Sequence, residues 1–258
     1  MIQEFRIDRF RLLFDLEPEA FMSDHNLLWY ARNRQLPEPE VIHVMLRALQ
    51  AGDCAVDAGA NVGFFTVLMS KIVGERGSVH AFEPDKCNAA KLKKNLDINS
   101  CTNVVVYECA LGETTALTSV FPVGGDNGQT SVFGEGEPID VVGLERLDTF
   151  TPQMKSPTLL KMYIEGSEVA ALQGCSYRFP YIVSEVNPKS LERAGTSPEF
   201  LMGLLRGRGY RPYALHPDGS MPSRIAGSQR IACTRENANV LFATHDNVET
   251  KLWPEVEL

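Results

Sequence analysis

The sequence predicts an α/β fold, doubly wound around a Rossmann-like sheet of seven strands. The sheet is expected to be mostly parallel, with an antiparallel pair at one edge. Three observations predict it. Short apolar runs alternate with longer helical stretches from residue 54 onward. A sharp glycine turn joins the first of those runs to the helix after it. A chain of 258 residues, 44% hydrophobic and 22% charged, can also bury one substantial core.

The elements follow in order. Residues 1–37 read as a polar and aromatic leader, closed by the two prolines of Gln35-Leu36-Pro37-Glu38-Pro39. EVIHVMLRALQ (40–50) places apolar residues at 41, 42, 44, 45, 46 and 49, an amphipathic helix stopped by Gly52. CAVDAG (54–59) is a buried strand running into the glycine turn, and VGFFTVLMSKIV (62–73) is the next helix. SVHAFEP (78–84) is the second strand, Asp85 caps the helix DKCNAAKLKKNLDIN (85–99), and NVVVYECAL (103–111) is the third strand. This alternation implies right-handed βαβ crossovers.

From Gly112 to Gly143 the chain is rich in Gly, Thr, Ser and acid, which predicts strand ends and a flexible insertion. Regular order returns with the strand TLLKMYIEG (158–166), the helix SEVAALQGC (167–175) and the strand YIVSEVNP (181–188). A helix from about Ser197 to Arg208 precedes the edge pair, Tyr210–Leu215 and Asn239–Ala243. Residues 38–245 thus form the main domain, with 112–143 inserted in it and 246–258 as a tail.

Charge and cysteine content narrow the function. A net charge of −8 argues against a nucleic-acid partner held through phosphates. Six cysteines stand apart, without a CxxC pair or a short ladder. Neither a zinc site nor a disulfide framework is expected, and reduced thiols in a cytoplasmic protein are the default. MIQEFRIDRFRLLF interrupts its apolar residues with charges, so neither a signal-peptide core nor a membrane span is expected there.

The sharpest motif is Val56-Asp57-Ala58-Gly59-Ala60-Asn61-Val62-Gly63, with spacing D-x-G-x-x-x-G. It lacks the G-x-G-x-x-G of a nicotinamide dinucleotide site. Its glycines let the backbone turn sharply and approach a ligand at the carboxyl edge of the sheet. Glu83 ends the next strand, where an acid can accept hydrogen bonds from a ribose diol.

These blocks, with CALGE, LDTF, LLKMYIEGSEVAALQG and YIVSEVNP, resemble the FkbM family of methyltransferases over about residues 38–245. The resemblance implies a class I methyltransferase sheet and S-adenosylmethionine as cofactor. It also implies methyl transfer to a hydroxyl of a sugar, polyketide or other small natural product. Asp57, Gly59, Asn61 and Gly63 match the cofactor turn, Glu83 the ribose acid, and Ala110 and Leu111 the edge of the adenine pocket. Asp57 could help hold the cationic sulfonium and ammonium, directly or through water.

One position departs from the pattern. The family's fourth-strand motif reads K-x-D-x-E-G-x-E, and here Tyr163 takes the aspartate's place between Lys161 and Glu165. A phenol is a poor magnesium ligand, so no metal is expected. Tyr163, Glu165 and Glu185 are the catalytic candidates, and Glu168 is a further acid of the same motif. His80 reads as a packed core histidine, His216 and His245 as loop residues, and Asp148 as a helix cap. The leader and the insertion are the expected substrate lid, with Trp29, Tyr30, Phe121 and Phe133 as candidate walls. The alternative is a protein that binds the cofactor without turnover, because of Tyr163.

Overall fold

The computed structural model describes residues 1–123, 126–134, 136–226, 238–244 and 252–253. Strands β1 (Ile2–Ile7) and β2 (Phe10–Asp15) pair antiparallel as a hairpin. Alternation along them turns Phe5, Ile7, Leu12 and Phe14 inward. Phe14 stacks on Phe64 with ring centroids 5.5 Å apart. Helices α1 (Met22–Arg32) and α2 (Pro39–Ala48) follow. A buried ion pair anchors α1, with Asp24 3.0 Å from Lys91. The stretch read from sequence as a leader therefore contains a hairpin and a helix packed on the core.

The repeating unit begins with β3 (Cys54–Ala58), α3 (Phe64–Val73), β4 (Ser78–Phe82), α4 (Lys86–Ile98) and β5 (Val104–Tyr107). Asp85 caps α4, accepting from the Asn88 amide at 2.8 Å. Beyond Glu108 the chain leaves this sheet. β6 (Cys109–Leu111), β7 (Ala116–Val123), β8 (Asp126–Ser131) and β9 (Asp140–Glu145) make a second sheet in the order β6-β9-β7-β8. This corrects two expectations. The run 103–111 is two strands in different sheets, and much of 112–143 is paired strand rather than flexible insertion.

The chain then returns through β10 (Leu159–Met162), α5 (Glu168–Gln173), β11 (Tyr181–Val186), α6 (Pro188–Arg193) and α7 (Pro198–Gly207). It finishes with β12 (Arg211–Ala214), β13 (Ser223–Arg224) and β14 (Ala238–Ala243). The main sheet runs β13-β12-β14-β11-β10-β3-β4-β5. All seven expected strands are in it, and the two-residue β13 is added at the edge. β5, β4, β3, β10 and β11 are parallel neighbours, while β14 lies antiparallel between β11 and β12.

Both faces of the sheet are covered, as its near-continuous apolar strands require. Ala55, Val79, Ala81, Leu159 and Val183 pack with α2, α3 and the hairpin. Val56, Ala58, Phe82, Leu160 and Ile182 pack with α5 and α7. Strand alternation thus sorts neighbouring residues into opposite core layers. It also puts Asp57 and Lys161, paired in register, on one face.

Candidate active site

The carboxyl ends of β3, β4 and β10 meet at one edge, where a cavity of about 570 Å³ opens. Open α/β sheets bind ligands at such edges. The turn from Gly59 to Gly63 forms one wall, with φ of 77° at Gly59, 50° at Asn61 and 97° at Gly63. A Cβ on Gly59 would lie 1.8 Å from the Tyr163 carbonyl oxygen, so only glycine lets the turn pack on the end of β10. The Gly59 and Ala60 amides both donate to the Phe82 carbonyl, at 2.9 and 3.0 Å.

Glu83 clamps the same turn. Its Oε2 accepts from the Asn61 amide at 2.7 Å and its Oε1 from the Asp85 amide at 3.0 Å. Burial pushes its pKa up to about 7, against the lowering pull of those two donors. Glu83 still lines the cavity, beside Phe82, Ala110 and Leu111.

Asp57 lies elsewhere. It is fully buried, 2.9 Å from Lys161 Nζ, and accepts from Thr66 Oγ1 at 2.6 Å. It is outside the cavity lining. The reason is register: β10 brings Lys161 alongside it. Lys161 also donates to the Gly59 carbonyl at 2.8 Å, so Asp57 acts on the turn through that lysine.

The opposite wall follows β10. Tyr163 and Glu165 line the cavity. The Tyr163 hydroxyl donates to Glu38 Oε2 and lies 2.7 Å from Asn239 Oδ1. Burial and the Glu38 carboxylate hold its pKa well above the usual tyrosine value. Glu165 adopts a left-handed φ of 50°. Its Oε2 accepts from Ser190 Oγ at 3.0 Å and its carbonyl from Ser131 Oγ at 2.8 Å. Glu168 sits under this turn, outside the lining, and accepts from the Ile164 and Gly166 amides at 3.2 and 3.0 Å. Burial raises its pKa to about 7. Glu185 is also outside the lining, paired in register with Asn239 on β14.

The outer wall comes from α1 and β8, through Met22, Trp29, Tyr30, Gln129 and Thr130. Phe121 and Phe133, suggested as walls by the sequence, lie outside it. His80 is a packed residue whose Nδ1 is 3.1 Å from the Tyr107 hydroxyl. His216 pairs with Ser223 at 2.8 Å, and Asp148 accepts from the Ser176 amide at 2.7 Å. His245 and Cys233 fall outside the described residues. Among the described residues, no group of three or more His, Cys, Asp or Glu could hold a metal ion. No helix among them is long and apolar enough to cross a membrane.

Sequence reasoning did not single out Glu38, Lys161, Ser131 or Asn239 as site residues. Two of them carry a local signal, since Lys161 opens the fourth-strand motif and Glu38 stands between two prolines. Ser131 and Asn239 have none, because only tertiary folding brings Ser131 to the cavity lining and Asn239 to the Tyr163 hydroxyl.

Known proteins extend these observations. The FkbM methyltransferase domain matches residues 57–212. Methyltransferase 1 of Beauveria bassiana (strain ARSEF 2860) is 25% identical over 192 residues, covering 65% of this chain and 76% of that protein. The solved FkbM methyltransferase of Methylobacillus flagellatus KT is 20% identical, with a TM-score of 0.49. That alignment covers 75% of this chain but 43% of the other, so this chain spans less than half of that relative's length. A solved SAM-dependent O-methyltransferase of Thermotoga maritima is 14% identical, with a TM-score of 0.43 over 80% of this chain and 64% of that one. The matched domain takes in the glycine turn, Glu83 and the whole fourth-strand motif, and occupies more than half of the sequence. The chain belongs to the FkbM family of S-adenosylmethionine-dependent methyltransferases.

Proposed function

We propose that this protein transfers the methyl group of S-adenosylmethionine to a hydroxyl oxygen of a small-molecule acceptor. One observation supports this reading above the others: a single cavity with two unlike halves. A glycine turn and a buried acid face a wall of hydroxyl and carboxylate groups.

The first half fits the nucleoside part of the cofactor. After accepting from Asn61 and Asp85, the Glu83 carboxylate keeps lone pairs for a ribose diol. Ala110, Leu111 and Phe82 offer an apolar wall for adenine, and Gly59, Asn61 and Gly63 shape the turn beneath it. A volume of about 570 Å³ suits a ligand of this size.

When bound, the cofactor supplies a methyl carbon on an already activated sulfur leaving group. The chain's own residues then have to align the acceptor oxygen, exclude water and receive a proton. Tyr163, kept protonated by its raised pKa and donating that proton to Glu38, offers its hydroxyl oxygen to accept a hydrogen bond from the acceptor's hydroxyl. Glu165, in the lining, is better placed to touch the acceptor than Glu185, which acts on Tyr163 through its charge. Residues 1–37 and 112–143 serve as the lid over the domain formed by 38–245, because α1 and β8 supply the outer wall. The net charge of −8 favours a small acceptor over nucleic acid, and the separated cysteines favour a cytoplasmic setting.

Mass spectrometry of natively purified protein is expected to find S-adenosylmethionine or S-adenosylhomocysteine. Folded protein with no affinity for either would overturn the reading. Methyl transfer should also persist in excess EDTA, since Tyr163 replaces the strand-end aspartate and a phenol binds magnesium poorly. Turnover lost on chelation and restored by magnesium would contradict that part.

A further inference from the structure

The fourth-strand motif lacks its aspartate, yet a carboxylate reaches the same cavity wall from another part of the chain. It belongs to Glu38, held between Pro37 and Pro39 at the start of α2. Its backbone is left-handed, with φ 43° and ψ 64°, a conformation that a non-glycine residue keeps only when its surroundings enforce it. A residue at this position usually caps the helix with its side chain, but Glu38 makes no such bond. Glu38 lines the cavity instead, and its carboxylate accepts from the Tyr163 hydroxyl.

The groups around it form a connected set. The Tyr163 hydroxyl donates to Glu38 Oε2, and Asn239 Nδ2 donates to the same oxygen at 3.2 Å. Asn239 also donates to Glu40 at 2.9 Å, which turns its Oδ1 towards the phenol. The Tyr163 ring is held by Lys161 Nζ, 4.4 Å from its centroid, and by the edge of Phe65. Burial raises the Glu38 pKa, while Tyr163 and Lys161 oppose the rise. The titratable and charged groups facing this pair are Lys161 from β10, Glu40 from α2, Tyr30 from α1 and Glu185 from β11.

We propose that Glu38 is the proton acceptor of the transfer, receiving the acceptor's proton by way of the Tyr163 hydroxyl. This rests on the hydroxyl-methylation reading above. As the acceptor oxygen bonds to the methyl carbon, the carbon–sulfur bond breaks and its electron pair stays on sulfur. The acceptor's proton passes to the Tyr163 oxygen, and the proton of Tyr163 passes to Glu38 Oε2. Positive charge is lost at sulfur and negative charge at Glu38, so the step balances. The carboxylate thus stands one hydroxyl beyond the strand end instead of on it.

Carbon-13 NMR of the glutamate carboxyls tests this in the full chain loaded with S-adenosylhomocysteine. Glu38 is assigned by the resonance that Glu38→Gln removes. It is expected to titrate above the ordinary glutamate range, and Tyr163→Phe should raise it further, since the carboxylate loses a donor. Glu38→Gln should leave affinity for S-adenosylhomocysteine nearly unchanged but slow methyl transfer to neutral phenols, catechols and sugars by about 10²–10⁴-fold. A Glu38 that titrates in the ordinary range and ignores Tyr163→Phe overturns the proposal, as does undiminished transfer by Glu38→Gln. Failure of the cofactor reading would look different: wild-type protein would not bind S-adenosylhomocysteine at all.

Discussion

Replacing Lys161 with methionine is expected to lower stability by about 3–5 kcal/mol and to abolish binding of S-adenosylhomocysteine. Lys161 is 2% exposed and pairs with the fully buried Asp57. Methionine fills similar space, so little of the loss comes from packing. The loss comes from stranding the Asp57 carboxylate, with Thr66 as its remaining hydrogen-bond donor. Binding fails for a second reason. The Gly59 carbonyl loses its lysine donor, and the turn loses its side-chain tie to β10. A Lys161→Met/Asp57→Leu double variant should recover much of the stability, because an apolar pair can replace a buried ion pair at little cost. It should not recover binding. Urea unfolding and calorimetry measure the two effects separately, and a single variant as stable as wild type would refute the role given to the pair.

Glu83→Ala should weaken S-adenosylhomocysteine binding by about 1.5–3 kcal/mol, the range for hydrogen bonds to a charged group. The pH dependence is more diagnostic. Ribose hydroxyls donate to the ionised carboxylate, and in the free protein Glu83 titrates at about 7. Affinity should therefore rise as pH increases through about 7 and level off above it, and Glu83→Gln should flatten the curve. Stability moves the other way. A carboxyl whose folded pKa lies above its usual 4.5 holds its proton more tightly when folded. Its contribution is complete below pH 4.5 and declines as pH rises to about 7. Glu168, also at about 7, adds to the same decline. Affinity that did not change between pH 6 and pH 8 would remove Glu83 from the ribose site.

The parts of this fold that the sequence shows best are the buried parallel strands. CAVDA, SVHAF, LLKM and YIVSEV are mostly apolar runs buried on both faces, and they are separated by helices with caps that can be read, such as Asp85. The hairpin of β1 and β2 was less visible. Its inward residues, Phe5, Ile7, Leu12 and Phe14, do alternate, but Asp8-Arg9 is not a glycine-containing turn. The second sheet was hidden for a different reason. Leu117 and Val141 are exposed, so apolar and polar positions do not separate cleanly along its strands.

The site divides in the same way. Gly59, Asn61, Gly63 and Glu83 are close in sequence, and their spacing alone proposes a ligand turn. The register that buries Asp57 against Lys161 is a property of the assembled sheet. The meeting of Glu38, Tyr163 and Asn239 joins three segments far apart in the chain, and nothing local could announce it.

Transfer of a labelled methyl group tests the central claim most directly. The protein would be incubated with methyl-carbon-13 S-adenosylmethionine and a set of neutral phenols, catechols and sugars, and the products examined by NMR. Enzyme-dependent formation of S-adenosylhomocysteine is expected, with the labelled methyl bonded to oxygen of the acceptor. A labelled methyl found on nitrogen or carbon would contradict the hydroxyl assignment. Tight binding of the cofactor with no label transferred to any acceptor would contradict the enzyme itself, and leave a binding protein on a methyltransferase fold.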